Sequence, residues 1–279
     1  MLFSSKPTPV FFLSSGRGGS YQVYEYFKNK SNIISNHEYK FEQVLKTGVS
    51  YRMNLLKKED TLNFLGKEYA DQINISTSTY WIDSSNALPW LIQPLMDVFP
   101  DAKFVYLTRD GRKVVSSFFN KLVDIMYPDW GVKEFKSYLD SGKDEPEEDK
   151  RVWRPLPGYG RDIVTLETYN RFDLICWYWA ELSSEIISQT KLVKNKNFYQ
   201  LKFEDFVDHK SCRDNLLTWL DLDHREFDKI DLSRPVNVYE PKNYSFNSAQ
   251  ESTFKEICGD INYQLGYANN IKGSYDVKY

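Results

Sequence analysis

Short apolar runs alternate along this chain with longer segments in which apolar residues recur at helical spacing. The runs that predict strands lie at residues 10–13, 80–83, 104–108 and 198–203. The segments that predict helices lie at residues 21–30, 52–72, 88–98, 114–119, 174–190 and 216–220. Strands that alternate with helices in this way favour an α/β fold, in which helices flank a central parallel sheet.

Two parts of the chain do not follow this alternation. Residues 36–39 are expected to lie in a connection that returns to the sheet. Residues 127–164 are rich in Pro, Gly and acidic side chains and show no clear period, so we expect them to form an insert. Long segments of this kind are either functional lids or solvated surface loops, and the sequence leaves both open.

The first predicted strand runs directly into a loop of small residues that surrounds Arg17. Small residues allow a backbone to approach a ligand closely, and the N–H groups at the start of the next helix favour an anion. The Arg17 guanidinium adds a planar set of donors suited to phosphate. The loop is therefore predicted to bind a phosphate, although a plain strand-to-helix turn has a similar composition. The loop around Arg17 lacks the Lys and the spacing of the G-x-x-x-x-G-K-[ST] loop.

A second basic position follows the strand predicted at residues 104–108. Arg109 stands at its carboxyl end, and Ser117 lies about two helical turns along the next helix. Ligands of open parallel sheets bind at the carboxyl ends of the strands. Arg109 and Ser117 are therefore predicted to hold a second phosphate.

Together these two segments resemble those of the sulfotransferases that use 3′-phosphoadenosine-5′-phosphosulfate (PAPS). Residues 17–21 match the family's first loop, and the run from Arg109 to Ser117 matches its strand-R-D-x-R-x-x-x-x-S motif. The similarity extends over residues 8–268 and is closest to the bacterial, carbohydrate and tyrosylprotein branches. It implies a P-loop-like three-layer sandwich that transfers a sulfuryl group from PAPS to a hydroxyl or amine.

The resemblance also implies roles for individual residues. The residues that it assigns to the 5′ end of the nucleotide are Arg17, Gly18, Gly19, Ser20 and Tyr21. Arg109 and Ser117 would hold the 3′-phosphate, and Lys242 lies in a stretch that closes over the nucleotide in the family. No metal is implied.

Transfer of this kind needs a general base, because the acceptor must lose a proton. The tyrosylprotein branch places a Glu about as far beyond the loop as Glu38 lies beyond Arg17, whereas the cytosolic branch uses a His. Glu38 is therefore predicted as the base and His37 as the second candidate, with a salt bridge that orients a loop as the alternative role of Glu38. Arg17 is predicted to stabilise the negative charge that develops during transfer.

One position departs from the family pattern. Several branches have a Lys just after the third strand, where it contacts the sulfate, and Ser84 holds the aligned position here. Ser84 is therefore a candidate to hydrogen-bond the sulfonate. Within the insert, Trp153 and Arg154 are candidates to contact the acceptor, which is expected to be a carbohydrate, another small molecule or a peptide.

Composition narrows these expectations only slightly. The 279 residues carry a net charge of −3, which argues against a general nucleic-acid binder. The three Cys are too scattered for a disulfide framework or a zinc site, and no run of 18 apolar residues predicts a membrane span. We expect one domain, residues 1–279, in the cytoplasm.

Two other functions stay compatible with the sequence. A P-loop-type kinase or nucleotide phosphotransferase would need Mg²⁺ ligands and a P-loop Lys, and neither is visible. A binding protein that holds the nucleotide but has no turnover would account for Ser84 in place of the family's Lys.

Overall fold

The computed structural model describes residues 6–142, 153–228, 230, 232 and 245–267. The strands within these ranges are β1 (Thr8–Leu13), β2 (Ile33–His37), β3 (Tyr80–Ser85), β4 (Lys103–Thr108) and β5 (Phe198–Lys202). They form one parallel sheet in the order β2-β3-β1-β4-β5. Because all of them run the same way, the segments that follow β1, β2, β3 and β4 leave the sheet at the same edge.

Alternate residues of β1 point to opposite faces of the sheet, and both faces are covered. Phe11 and Leu13 belong to one apolar core, whereas Val10 and Phe12 belong to the other. All four side chains are fully buried. A parallel sheet that is covered on both faces has no polar side, which explains why β1 is a continuous apolar run.

Helices cover both faces of the sheet, so the fold class predicted from the sequence is confirmed. The helices among the described residues are α1 (Ser20–Phe27), α2 (Phe41–Arg52), α3 (Lys58–Leu65), α4 (Asp71–Ile75), α5 (Ile92–Val98), α6 (Gly111–Lys121), α7 (Asp129–Ser141), α8 (Arg171–Thr190), α9 (Phe203–Asp208), α10 (Lys210–Trp219) and α11 (Ser248–Gln264). Helices α2, α5, α6, α8 and α11 pack on the face that contains Phe11, and α1 and α10 pack on the other.

Two expectations from the sequence need correction. Asn36 and His37 are part of β2, which pairs with β3 at the edge of the sheet, rather than part of a connection. Only Ile33 is buried among the residues of β2, so this edge strand has little apolar pattern to reveal it. The expected insert contains α7, in which Gly131 and Phe135, four positions apart, are buried. Val132, Phe135 and Leu139 of this helix recur at helical spacing and pack in or against the core, so the segment does contain a helical period.

Candidate functional site

The loop between β1 and α1 depends on glycines. Gly16 and Gly19 have φ of +80° and +95°, in the left-handed region that favours glycine. A Cβ on Gly19 would lie 2.1 Å from the ring of Phe203, which no pair of carbon atoms tolerates. The loop therefore lies directly against the first residue of α9, and α1 begins immediately after it at Ser20.

Replacing Gly19 by alanine is expected to destabilise the protein by more than its backbone conformation alone would cause. The left-handed conformation costs an L-residue about 1–2 kcal/mol, and the displacement of Phe203 adds about 1–3 kcal/mol. Gly142→Ala is the matched control, because Gly142 also has a positive φ, +59°, but no atom lies within 4 Å of its Cβ position. Urea unfolding measures both variants, and equal losses would contradict the close contact with Phe203.

The loop after β1 and the end of β4 meet through their side chains. Arg17 Nε donates a hydrogen bond of 3.0 Å to Ser117 Oγ, and Arg109 Nη1 donates one of 2.6 Å to the backbone carbonyl of Arg17. Arg17 and Arg109 are half-buried, and Ser117 is fully buried. Two guanidinium groups beside a hydroxyl provide several charged donors, which suits a phosphate. The structure thus joins three predicted site residues in one cluster, Arg17–Arg109–Ser117.

Helix α6 begins beside this cluster with a side-chain cap. The Asp110 carboxylate accepts a hydrogen bond of 3.0 Å from the N–H of Arg112. The Arg112 side chain is buried, lies over the ring of Phe254 at 4.8 Å and is 3.8 Å from the carboxylate of Glu251. Arg112 therefore links α6 to α11. The Asp110 carboxylate caps the first turn of α6, the helix that carries Ser117.

Both candidate bases lie where β2 ends, next to the loop after β1. His37 Nε2 is 3.2 Å from the hydroxyl of Ser20, and His37 Nδ1 is 4.0 Å from one carboxylate oxygen of Glu38. Asn86 donates a hydrogen bond of 2.8 Å to the other Glu38 oxygen. Burial lowers the pKa of His37 to about 4, so its imidazole is neutral at neutral pH.

Ser84 joins three segments at the carboxyl end of β3. Its hydroxyl lies within hydrogen-bond distance of the carbonyl oxygens of Ser20, at 2.9 Å, and Asn36, at 3.3 Å. Its own carbonyl accepts a hydrogen bond of 3.2 Å from the N–H of Glu38. The fully buried Ser84 therefore links the start of α1 to the segment that carries Glu38. Its contact with a sulfonate stays a prediction.

Asp83 and Asn86, which no sequence motif marks, both contact the segment around Glu38. Asp83 accepts hydrogen bonds from the N–H of Tyr39, at 3.2 Å, and from the hydroxyl of Tyr69, at 3.1 Å. Burial raises the pKa of the Asp83 carboxyl to about 7, and the charge of Glu38 acts in the same direction. The available clue was the polar run at residues 83–86, which directly follows the three apolar residues that begin β3.

The remaining predicted site residues lie in the insert or outside the described ranges. Trp153 and Arg154 are buried, rather than exposed on a solvated loop. Arg154 donates hydrogen bonds to the Trp153 carbonyl, at 2.6 Å, and to the sulfur of Met126, at 3.4 Å, and the Lys46 ammonium lies over the Trp153 ring at 5.5 Å. Their contact with an acceptor stays a prediction. Lys242 lies outside the residues that the structure describes.

Solved structures share this architecture. The chain is similar to the sulfotransferase domain from the curacin biosynthetic pathway, with a TM-score of 0.53 and 15% identity over 95% of this chain and 99% of that one. It is also similar to a sulfotransferase from Mycobacterium avium, with a TM-score of 0.51 and 10% identity over 97% of this chain and 79% of that one. The sequence matches no protein-family model and no curated protein. The chain therefore has a sulfotransferase-like fold, as the sequence resemblance predicted.

Three further findings on the described residues concern membrane-spanning helices, metal-binding groups and cysteines. No helix within those ranges combines the length and the apolar content that crossing a bilayer requires. The same ranges contain no group of three or more His, Cys, Asp or Glu side chains arranged to hold a metal ion. Cys176, Cys212 and Cys258 are free thiols, and the first and last of them are buried.

Proposed function

We propose that this protein is a PAPS-dependent sulfotransferase, which moves a sulfuryl group to a hydroxyl or amine of a small-molecule, carbohydrate or peptide acceptor. The observation that carries the proposal is the cluster Arg17–Arg109–Ser117 at the carboxyl ends of β1 and β4. Open parallel sheets bind their ligands at this edge. The sulfotransferase-like fold supports the proposal.

The side chains of the cluster fit such a nucleotide in charge and chemistry. Arg109 and Ser117 would hold the 3′-phosphate, while residues 17–21 and the N-terminus of α1 would hold the 5′ end. PAPS supplies the sulfuryl group that is transferred. The Arg17 side chain contacts Ser117 and its backbone carbonyl accepts from Arg109, so Arg17 joins the loop after β1 to the proposed 3′-phosphate residues. Its guanidinium would stabilise the negative charge that develops during transfer.

Glu38 is the proposed general base, and His37 is the second candidate. The Glu38 carboxylate would take the proton of the acceptor hydroxyl or amine as that atom forms its bond to sulfur. The bond between sulfur and the phosphate oxygen breaks in the same in-line displacement, by analogy with phosphoryl transfer. Asn86 donates to one carboxylate oxygen of Glu38, and the other oxygen lies 4.0 Å from His37 Nδ1.

Calorimetric titration with 3′-phosphoadenosine-5′-phosphate (PAP), AMP and ATP tests the nucleotide site. PAP is expected to bind more tightly than AMP, because only PAP has a 3′-phosphate. Arg109→Ala is expected to weaken PAP binding by about 1.5–3 kcal/mol, since it removes a charge-assisted contact. Its effect on AMP binding is expected to be much smaller.

Arg213→Ala is the matched control for this titration. The Arg213 guanidinium also donates to backbone carbonyls, those of Phe206 and Val207, both at 2.8 Å. It lies on α10 and outside the cluster, so we expect PAP binding to be unchanged. Equal affinities for PAP and AMP, or an Arg109→Ala variant that binds PAP normally, would contradict the proposed site.

Transfer itself is tested with [³⁵S]PAPS and a panel of phenols, sugars and amines. Labelled product with at least one acceptor is the expected result. Tight PAP binding with no transfer to any acceptor would instead favour a nucleotide-binding protein without turnover.

A further inference from the structure

The segment between β2 and α2 holds Glu38 in a conformation that most side chains avoid. Glu38 and Lys40 have φ of +54° and +47°, in the left-handed region that a Cβ disfavours. Residues in such conformations persist only where their surroundings hold them. The groups that hold this segment therefore decide where the Glu38 carboxylate lies.

Asp83 and Tyr69 hold the residue between these two positions. The N–H of Tyr39 donates to Asp83 Oδ1 over 3.2 Å. The Tyr69 hydroxyl lies 3.1 Å from Asp83 Oδ2 and 3.3 Å from the carbonyl oxygen of Tyr39. One pair of side chains thus contacts both backbone polar groups of Tyr39.

This contact is buried and surrounded by aromatic rings. Asp83 and Tyr69 are fully buried. The Tyr39 ring packs edge-on against the rings of Tyr69 and Trp81, with both centroid distances 5.2 Å. Hydrogen bonds shielded from water are stronger, and moving the Tyr39 peptide would leave the Asp83 carboxylate without one of its donors.

The end of β3 also contacts Glu38 directly. The Ser84 carbonyl accepts from the N–H of Glu38, and the Asn86 side chain donates to the Glu38 carboxylate. Glu38 is therefore held at its backbone and at its side chain, and Asp83 holds the peptide that follows. Asp83, Ser84 and Asn86 act together as a support for this segment.

We propose that Asp83 and Tyr69 are positioning residues, which hold Glu38 where its carboxylate can take the proton of the acceptor. The inference rests on the proposed function. A general base must lie within hydrogen-bond reach of the proton that it removes, so placement decides its effectiveness. Misplacement by about 1 Å can cost about 100-fold in rate.

Hydrogen exchange of the Tyr39 amide tests the contact without any substrate. Asp83→Ala and Tyr69→Phe each remove part of the support, so we expect exchange about tenfold faster or more. Asp83→Asn keeps an oxygen that can accept from the Tyr39 N–H, and its exchange is expected to stay near the wild-type rate. Tyr80→Phe is the matched control, because it removes another buried tyrosine hydroxyl, which donates to the Leu220 carbonyl at the opposite end of β3.

Kinetics then test the consequence for transfer. With [³⁵S]PAPS and the best acceptor of the panel, Asp83→Ala and Tyr69→Phe are expected to lower kcat by about 10- to 100-fold. The dissociation constant of PAP is expected to stay within about twofold, because neither side chain belongs to the Arg17–Arg109–Ser117 cluster. Asp83→Asn is expected to restore most of kcat.

The outcomes separate the two proposals. Faster exchange with unchanged kcat would overturn the positioning role and leave the proposed function in place. Unchanged exchange in both variants, or a loss of PAP affinity as large as the loss of kcat, would also overturn the positioning role. A wild-type protein that transfers to no acceptor would overturn the proposed function and the positioning role with it.

Discussion

Replacing Glu38 by glutamine is expected to lower kcat for sulfuryl transfer by about 100- to 10,000-fold, the contribution typical of a general base. Glutamine keeps the length of the side chain and an oxygen that can accept from Asn86, but it cannot take the proton of the acceptor. PAP binding is expected to be unchanged, because Glu38 is not part of the cluster that would hold the phosphates. Initial rates with [³⁵S]PAPS and calorimetry with PAP measure the two effects separately.

Two further variants test whether a lower kcat comes from the loss of the base itself. Glu42→Gln removes an exposed carboxylate in the first turn of α2, and it is expected to leave kcat unchanged. His37→Gln removes the second candidate base, whose imidazole is neutral at neutral pH and contacts Ser20. If His37→Gln abolished transfer while Glu38→Gln retained most of it, the base would be His37 and the assignment of Glu38 would be wrong.

Replacing Asp83 by asparagine is expected to stabilise the folded protein above pH 7, by up to about 4 kcal/mol. Burial raises the pKa of the Asp83 carboxyl from its ordinary value of 3.8 to about 7. Between these two values the folded protein binds a proton that the unfolded chain has lost. The contribution of Asp83 to the stability of the wild type therefore falls as the pH rises through this interval, and it is constant above about pH 7. Asparagine does not titrate, so the gain in stability of Asp83→Asn over the wild type grows over the same pH interval.

Urea unfolding at pH 5 and pH 8 measures this difference. The gain from Asp83→Asn is expected to be about 1.5 kcal/mol at pH 5 and to reach its full value at pH 8. Asp97→Asn is the control, because Asp97 is an exposed carboxylate on α5 that forms a surface ion pair of 2.7 Å with Lys58. Surface pairs contribute about 0–1 kcal/mol, so this variant is expected to change stability little at either pH. An Asp83→Asn variant less stable than the wild type at pH 8 would contradict the inference that the buried, charged Asp83 carboxylate destabilises the folded protein.

Several parts of the candidate site could be predicted because each lies within one stretch of sequence. The loop around Arg17 follows an apolar run and precedes a helix, and Arg109 follows another apolar run. The carboxyl ends of parallel strands share one edge of the sheet, so these two segments were expected to lie near each other. The hydrogen bond between Arg17 and Ser117 agrees with that expectation.

Other parts of the site had no such local pattern. β2 is a polar edge strand, so alternation between apolar and polar residues did not reveal it. Tyr69 lies in the short π-helix Gly66–Ala70, between α3 and α4, and nothing in its neighbourhood along the chain indicates that its hydroxyl reaches Asp83. Trp153 and Arg154 were expected in an irregular segment, and only packing shows that they are buried.

The amino-acid sequence by itself determined the strands that are buried on both faces, the helices with a clear apolar stripe, and the glycine-containing loop after β1. These features are local, because burial and backbone conformation impose periods and residue types on neighbouring positions. Only the tertiary structure decided the strand order, the place of β2 at the edge, and the support that Asp83 and Tyr69 give to the segment around Glu38. Those features depend on hydrogen bonds and packing between residues far apart in the chain, and such contacts leave no period in the sequence.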